Sequence, residues 1–272
     1  PVNGSGSYGG AFSGATGNDL ANTYNLYNNI GNGPSPYVTQ GVDATAYTTA
    51  ISLLGNTDEY DYQLLATPGL TYNYHPTAIN SFIATTEGRG DCFYITDLYG
   101  YGATIGNVTT TATGLNTNYA ATYWPWVQVL SGATGKLVWV PASTVMPGVY
   151  AFNDRVSAEW FAPAGLNRGG IGGAVQAERK LGTNDRDTLY QSKVNANATF
   201  PGIGLVAYGQ KTLQTKASAL DRVNVRRLLN YIKKQVSRAA TRVLFEPNVE
   251  ATWNNFKGVV NPFLLSIKNA YG

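Results

Sequence analysis

Between Ser218 and Asn248 apolar residues recur at intervals of three and four: Val225, Leu228, Leu229, Ile232, Val236, Ala239, Ala240 and Val243. This spacing predicts a helix over 219–244 with one apolar stripe, and the stripe is expected to be buried. Ser218 followed by Asp221 reads as a capping box, and neither Gly nor Pro interrupts before Pro247. The other face carries Arg222, Arg226, Arg227, Lys233, Lys234, Arg238 and Arg242, with Asp221 the only acid between Lys211 and Phe245. By charge pattern alone that face reads as solvated.

Upstream, the Gly-, Ser- and Asn-rich residues 1–58 predict long loops, apart from a short amphipathic helix over Ala44–Leu54. From Tyr60 the texture changes. Tyr62–Ala66 predicts a strand closed by Thr67-Pro68-Gly69, Thr77–Glu87 a helix and Cys92–Asp97 a second strand, a βαβ unit with parallel pairing. Gly100–Gly114 reads as an exposed excursion, Asn116–Thr122 as helix or loop, and Tyr123–Val127 as an aromatic strand. A turn at Ser131–Gly135 leads to a strand over Leu137–Pro141, a turn and helix over Ser143–Asp154, and a Gly-rich stretch at 165–173. Ile203–Tyr208 is a strand feeding the basic helix, and Val249–Tyr271 a last helix interrupted near Pro262. The fold class is mixed α/β, with helices packed on mixed sheets, two unequal domains and long Gly/Asn-rich loops. Its expected divisions are 1–58, 59–199 and 200–272.

Composition narrows the chemistry. The 272 residues suffice for a sizeable core, and at 13% charged they hold about half the usual share of charge. A net charge of +3 is too small to imply nucleic acid by itself; the clustered basic footprint that phosphate binding needs exists only at 211–242, and no specific nucleic acid partner is expected. Cys92 stands alone, which excludes an internal disulfide, and no apolar run is long enough to insert in a membrane as a helix. The chain opens on Pro1, as a piece of a longer polypeptide would.

His75 is the one histidine, so neither a Ser-His-Asp set nor a His/Cys zinc shell can be assembled; no catalytic residue, metal or cofactor is expected. The acid groups Asp58, Glu59, Asp61 and Asp185, Asp187 lack a cation-loop pattern and read as solvated. Arg89-Gly90-Asp91 reads as a helix end capped by glycine. Asn3, Asn107 and Asn197 stand in glycosylation sequons.

The order of segments says more than any motif. The series comprises Leu65-Ala66-Thr67-Pro68-Gly69, Asn118-Tyr119-Ala120-Ala121-Thr122-Tyr123-Trp124-Pro125-Trp126-Val127, Val140-Pro141-Ala142-Ser143 and Gly148-Val149-Tyr150-Ala151. It continues with Ala162-Pro163-Ala164-Gly165, Val206-Ala207-Tyr208-Gly209-Gln210-Lys211-Thr212-Leu213, Val223-Asn224-Val225-Arg226-Arg227-Leu228 and Phe245-Glu246-Pro247-Asn248. Together, over roughly residues 60–272, it resembles the contractile tail sheath proteins of myoviruses.

That resemblance implies a structural subunit of the virion tail, assembled in the host cytoplasm. Such a subunit polymerises helically with copies of itself around the tail tube protein, meets baseplate and tail terminator proteins, and contracts to drive the tube through the host envelope. It also implies that a terminal arm and a tube-facing C-terminal domain are missing from this piece. In such a polymer Arg226, Arg227, Lys233, Lys234 and Arg238 are candidate contacts to an acidic patch on a neighbour, with internal pairing of Arg226 and Arg227 to Glu246 or Asp221 as the alternative. Two other classes stay open. A carbohydrate-binding adhesin would stack sugars on exposed Trp and Tyr, and an α/β hydrolase would gather carboxylates in a pocket. The five tryptophans lie in apolar segments, where burial is expected.

Overall fold

A computed structural model describes residues 44–132 and 135–272, so the loops expected over most of 1–58, and Asn3, lie outside the described residues. Helix α1 spans Ala44–Leu54, strand β1 Leu64–Thr71, α2 Pro76–Arg89 and β2 Phe93–Asp97. β1 and β2 pair in parallel around α2, giving the expected βαβ unit. Pro76 opens α2 with its φ already helical, and Gly90 (φ 69°) ends it, its N–H returning to the Thr86 carbonyl. β1 does not stop at Thr67-Pro68-Gly69. It runs on to pair Thr71 with Asp97 past an irregularity, which the edge position permits because the Pro68 nitrogen has no ladder bond to make there.

The excursion expected over Gly100–Gly114 contains a helix, α3 (Ile105–Thr113), whose start is capped by the Thr104 hydroxyl accepting from the Asn107 N–H at 3.3 Å. Its buried residues, Val108 and Ala112, form a stripe only two residues long among threonines, too short for periodicity to reveal. Strand β3 (Ala120–Trp124) takes in residues read as helix or loop, and the aromatic strand expected over Tyr123–Val127 is split. Pro125, unable to donate in a ladder, ends β3 in the main sheet, and β4 (Val127–Leu130) begins a second sheet. β4 pairs antiparallel with β5 (Leu137–Val140) across the expected turn, where the Ser131 N–H meets the Lys136 carbonyl at 2.8 Å.

Helix α4 (Ala142–Val156) follows, then β6 (Ala174–Ala177), α5 (Thr183–Gln191), β7 (Val194–Phe200) and β8 (Gly204–Tyr208). The sequence reading had no β6, α5 or β7. β7, Val-Asn-Ala-Asn-Ala-Thr-Phe, is a central strand without large aliphatics. Its buried Asn195 donates to the carbonyls of Thr122 and Lys211, and Asn197 to that of Pro125, so the amides stitch neighbouring segments.

The main sheet has the order β1-β2-β3-β7-β8, parallel except for β8. A parallel sheet that grows in one direction by crossovers of one hand places the crossover helices on one face. On that face α2, α3 and α5 share a core with Leu70, Tyr94, Trp124 and Val194. The opposite face, with Phe93, Ile95, Ala121 and Tyr123, is covered by Met146, Val149 and Tyr150 of α4. The division expected at 199/200 falls inside the β7–β8 hairpin, so the strand leading to the basic helix is an edge of the main sheet. Two long helices close the chain, α6 (Val223–Thr241) and α7 (Glu250–Asn269), and Pro262 lies within α7 without interrupting it.

Candidate assembly interface

The capping box expected at Ser218 serves a different element. The Ser218 hydroxyl accepts from the Leu220 N–H at 3.2 Å and caps a single 3-10 turn, Ala219–Asp221; α6 begins after Arg222 without a side-chain cap. The Val223 N–H bonds the Gln210 carbonyl at 2.9 Å and anchors α6 beside the end of β8.

From there α6 crosses the ends where the parallel strands begin. Arg226 donates to Asn118 Oδ1 at 3.1 Å and lies over the Tyr119 ring at 4.2 Å, just before β3. Asn230 Nδ2 donates to the Cys92 carbonyl at 2.7 Å, just before β2. Lys234 and Arg238 both bridge to Asp61, before β1. Four residues of helix advance about 6 Å, and strands lie about 4.8 Å apart, so an oblique helix meets one strand start per four-residue step. The polar stripe 226-230-234-238 is therefore the docking face of α6.

This inverts the reading from charge. Arg226 and Arg227 are each 3% exposed and Asn230 5%, while Leu228, Leu229, Ile232 and Val236 of the apolar stripe are only half-buried. Arg227 is tolerated inside because a carboxylate matches it. Arg227 forks onto Asp154 of α4 at 2.8 and 2.5 Å and lies 5.0 Å over the Tyr150 ring. Burial pulls its pKa down, and the Asp154 carboxylate overrides that and raises it. Arg226, bonded to the neutral groups Asn230 and Asn118, is held below its usual pKa by burial. Internal pairing with an acid holds for Arg227 alone, and with neither Glu246 nor Asp221; Arg226 meets no acid among the described residues. The Arg227 partner is Asp154, brought near by the sheet, and Asp221 pairs with Arg222 at 3.1 Å.

Of the five candidate cations, then, two are internal. Lys234 has 11% of its side chain exposed and leans on Asp61, while Arg238, 56% exposed, shares that acid, and Lys233 is exposed with a 3.4 Å contact to the Tyr119 hydroxyl. These three line an open groove of about 710 Å³ with Asp58, Asp61, Glu87 and Thr241. Val236 and Ala239 of the apolar stripe lie across a small groove from Val259, Val260 and Phe263 of α7, and beside the stripe the Tyr231 ring meets Phe263 at 5.9 Å. α7 leaves Trp253, Val259, Leu264 and Leu265 40–55% exposed. The burial expected for the tryptophans thus fails at Trp253, whereas Trp124 and Trp126 are 3% and 2% exposed.

The remaining chemical candidates are structural. His75 is fully buried before α2, its Nδ1 accepting from the Thr71 N–H at 3.3 Å. Arg89 pairs with Asp91 and donates to the carbonyls of Leu54 and Tyr60, so the Arg-Gly-Asp tripeptide is an internal clamp. Among the described residues no group of three His, Cys, Asp or Glu side chains could hold a metal. Sequence reasoning passed over Asp97. Buried at the end of β2, it accepts from the N–H and hydroxyl of Ser143 and so caps α4, whose own cap position, Pro141, offers no side-chain acceptor. Burial pushes its carboxyl up to about 7, against the two Ser143 hydrogen bonds.

The fold, a mainly parallel sheet with a small second sheet, is similar to that of solved contractile sheath structures. It matches the sheath of an extracellular contractile injection system, PVC, in its contracted state, with TM-score 0.69 and 24% identity over 84% of this chain and 60% of that one. The contracted helical sheath of the anti-feeding prophage matches with TM-score 0.65 and 21% identity over 90% and 65%. No family model matches the sequence.

In sequence the chain is similar to part of phage tail sheath proteins. That of Vibrio phage KVP40 is 40% identical over 166 residues, 61% of this chain and 24% of the relative. That of Enterobacteria phage T4 is 39% identical over 119 residues, 44% and 18%. The matched regions span about a quarter or less of those relatives.

Proposed function

We propose that the chain is part of a structural subunit of a phage contractile tail sheath. In this reading copies polymerise helically around a tail tube, meet a baseplate and a tail terminator, and contract to drive the tube through the host envelope. The virion tail is its location, after assembly in the host cytoplasm. Its work is mechanical and no bond is hydrolysed. The observation that carries this reading is 40% identity to a phage tail sheath protein in a chain whose fold matches contractile sheaths. An adhesin has less support, since the most aromatic segment, around Trp124 and Trp126, is core. A hydrolase finds little either, because Asp97, the most buried acid among the described residues, serves as a helix cap.

Within this reading the outward cations Lys233 and Arg238 contact an acidic patch of a neighbour, with Lys234 behind them, and set register more than affinity. Charge reversal at Lys233 and Arg238 in the natural full-length protein tests this. Sedimentation should show loss of large assemblies and retention of folded monomers; unaltered assembly would contradict it.

A further inference from the structure

At the opposite edge of the main sheet from the Asp61 cluster, the backbone sets Lys211 beside Arg222 in an antiparallel bridge, which places two like charges directly across from one another. Both converge on Tyr190, 40% exposed on α5: the Lys211 ammonium lies 3.9 Å over its ring, and Arg222 donates to its hydroxyl at 2.5 Å. Lys193 joins them, in a left-handed conformation (φ 65°) just before β7 and tied to the Leu115 carbonyl and the Thr215 hydroxyl. Burial, and then the charge of Lys211, hold its ammonium below the usual range. Among the described residues one acid, Asp221 against Arg222, forms an ion pair with these three cations. The N-terminus of α6, adjoining Arg222, adds its positive dipole end. The corner is cationic, capped by an aromatic ring and already ordered, and these are features of residues that dominate interfaces.

Its complement lies on the same chain. The turn between α1 and β1 exposes Asp58 and Glu59, which make no ion pair among the described residues, Asp61 being taken by Lys234 and Arg238. Both corners sit where the parallel strands begin, but four strand steps apart, about 19 Å, so they cannot meet within one molecule. We propose that the Tyr190–Lys193–Lys211–Arg222 corner of one copy binds the Asp58–Glu59 turn of a second copy. Two different patches on opposite edges give a heterologous contact, which propagates into rings or helical polymers instead of closing as a dimer. The inference rests on the reading of the chain as a self-assembling subunit and adds a pair of surfaces to it.

Cysteines at Thr57→Cys and Gln191→Cys, exposed neighbours of the two surfaces, in one full-length chain test it, with Cys92 buried and out of reach. Mild oxidation should give a ladder of linked oligomers, whereas mixed single-cysteine variants should stop at heterodimers. Adding Lys211→Glu should lower the yield at least fivefold, and Asp58→Lys added to that should restore it. Assembled protein that yields no such ladder, or single variants that link to themselves as readily, would overturn this contact and leave the sheath reading standing. Protein that assembles under no condition would overturn both.

Discussion

Replacing Arg227 by methionine keeps most of the buried stem and deletes the guanidinium, whose two bonds to Asp154 measure 2.8 and 2.5 Å. Breaking a buried ion pair by removing one partner costs about 3–5 kcal/mol. The Asp154 side chain retains 23% exposure and can rehydrate, which places Arg227→Met toward the lower end, about 3 kcal/mol. Asp154→Asn should cost as much or more, because the guanidinium it strands is 3% exposed. The double variant should therefore be less destabilised than the sum, with a coupling of about 2 kcal/mol. Urea unfolding at neutral pH gives the three free energies. At about 2–4 °C per kcal/mol for a chain of this size, Arg227→Met should lower the midpoint of thermal unfolding by about 6–12 °C. A cost below about 0.5 kcal/mol with no coupling would mean a solvated cation, as the charge pattern alone implies, and would refute the buried docking face of α6.

Other consequences are as direct. Because burial raises the folded Asp97 carboxyl to about 7 from an ordinary 3.8, the native state keeps a proton that the unfolded chain releases, so this group's contribution to stability falls as pH rises from about 4 to 7 and is level above. The fall is on the order of 4 kcal/mol, and Asp97→Asn should flatten that part of the thermal stability profile; a variant with the wild-type slope would contradict the assignment. Gly169→Ala would place a Cβ 2.5 Å from the Ala207 carbonyl oxygen and 2.6 Å from the Gly165 nitrogen, so it should cost several kcal/mol and free the 165–171 segment from β8, seen as faster amide exchange there. Gly148→Ala, inside α4 with open space around the new Cβ, should instead add about 0.5–1 kcal/mol by denaturant unfolding.

The sequence was legible where local physics decides. The βαβ unit, the hairpin at Ser131–Gly135 and the presence of α6 and α7 follow from spacing, Gly and Pro, although α6 starts four residues after the expected 219 and Pro262 does not interrupt α7. It was opaque where a partner far along the chain decides. Nothing local marks β7 as a central strand, because Asn195 and Asn197 are buried against carbonyls of distant segments. The sidedness of α6 was misread for the same reason. A hydrophobic stripe is assumed to face the core, but here the partner surface is a row of strand starts offering Asn118, the Cys92 carbonyl and Asp61, and a polar stripe fits it better. The interface candidates divided accordingly. Arg226 and Arg227, read as interface or as internally paired, are buried beside Tyr119 and Asp154, whereas Lys233 and Arg238 remain outward.

A reconstruction of the natural full-length protein by electron cryo-microscopy, at a resolution that shows side chains, bears on both the packing and the assembly. Cylinders of stacked rings are expected, with Arg227 on Asp154 inside each subunit and Lys233 and Arg238 turned toward a neighbour. Protein that stays dispersed as single molecules, or a lattice in which Arg227 pairs across subunits, would contradict the account.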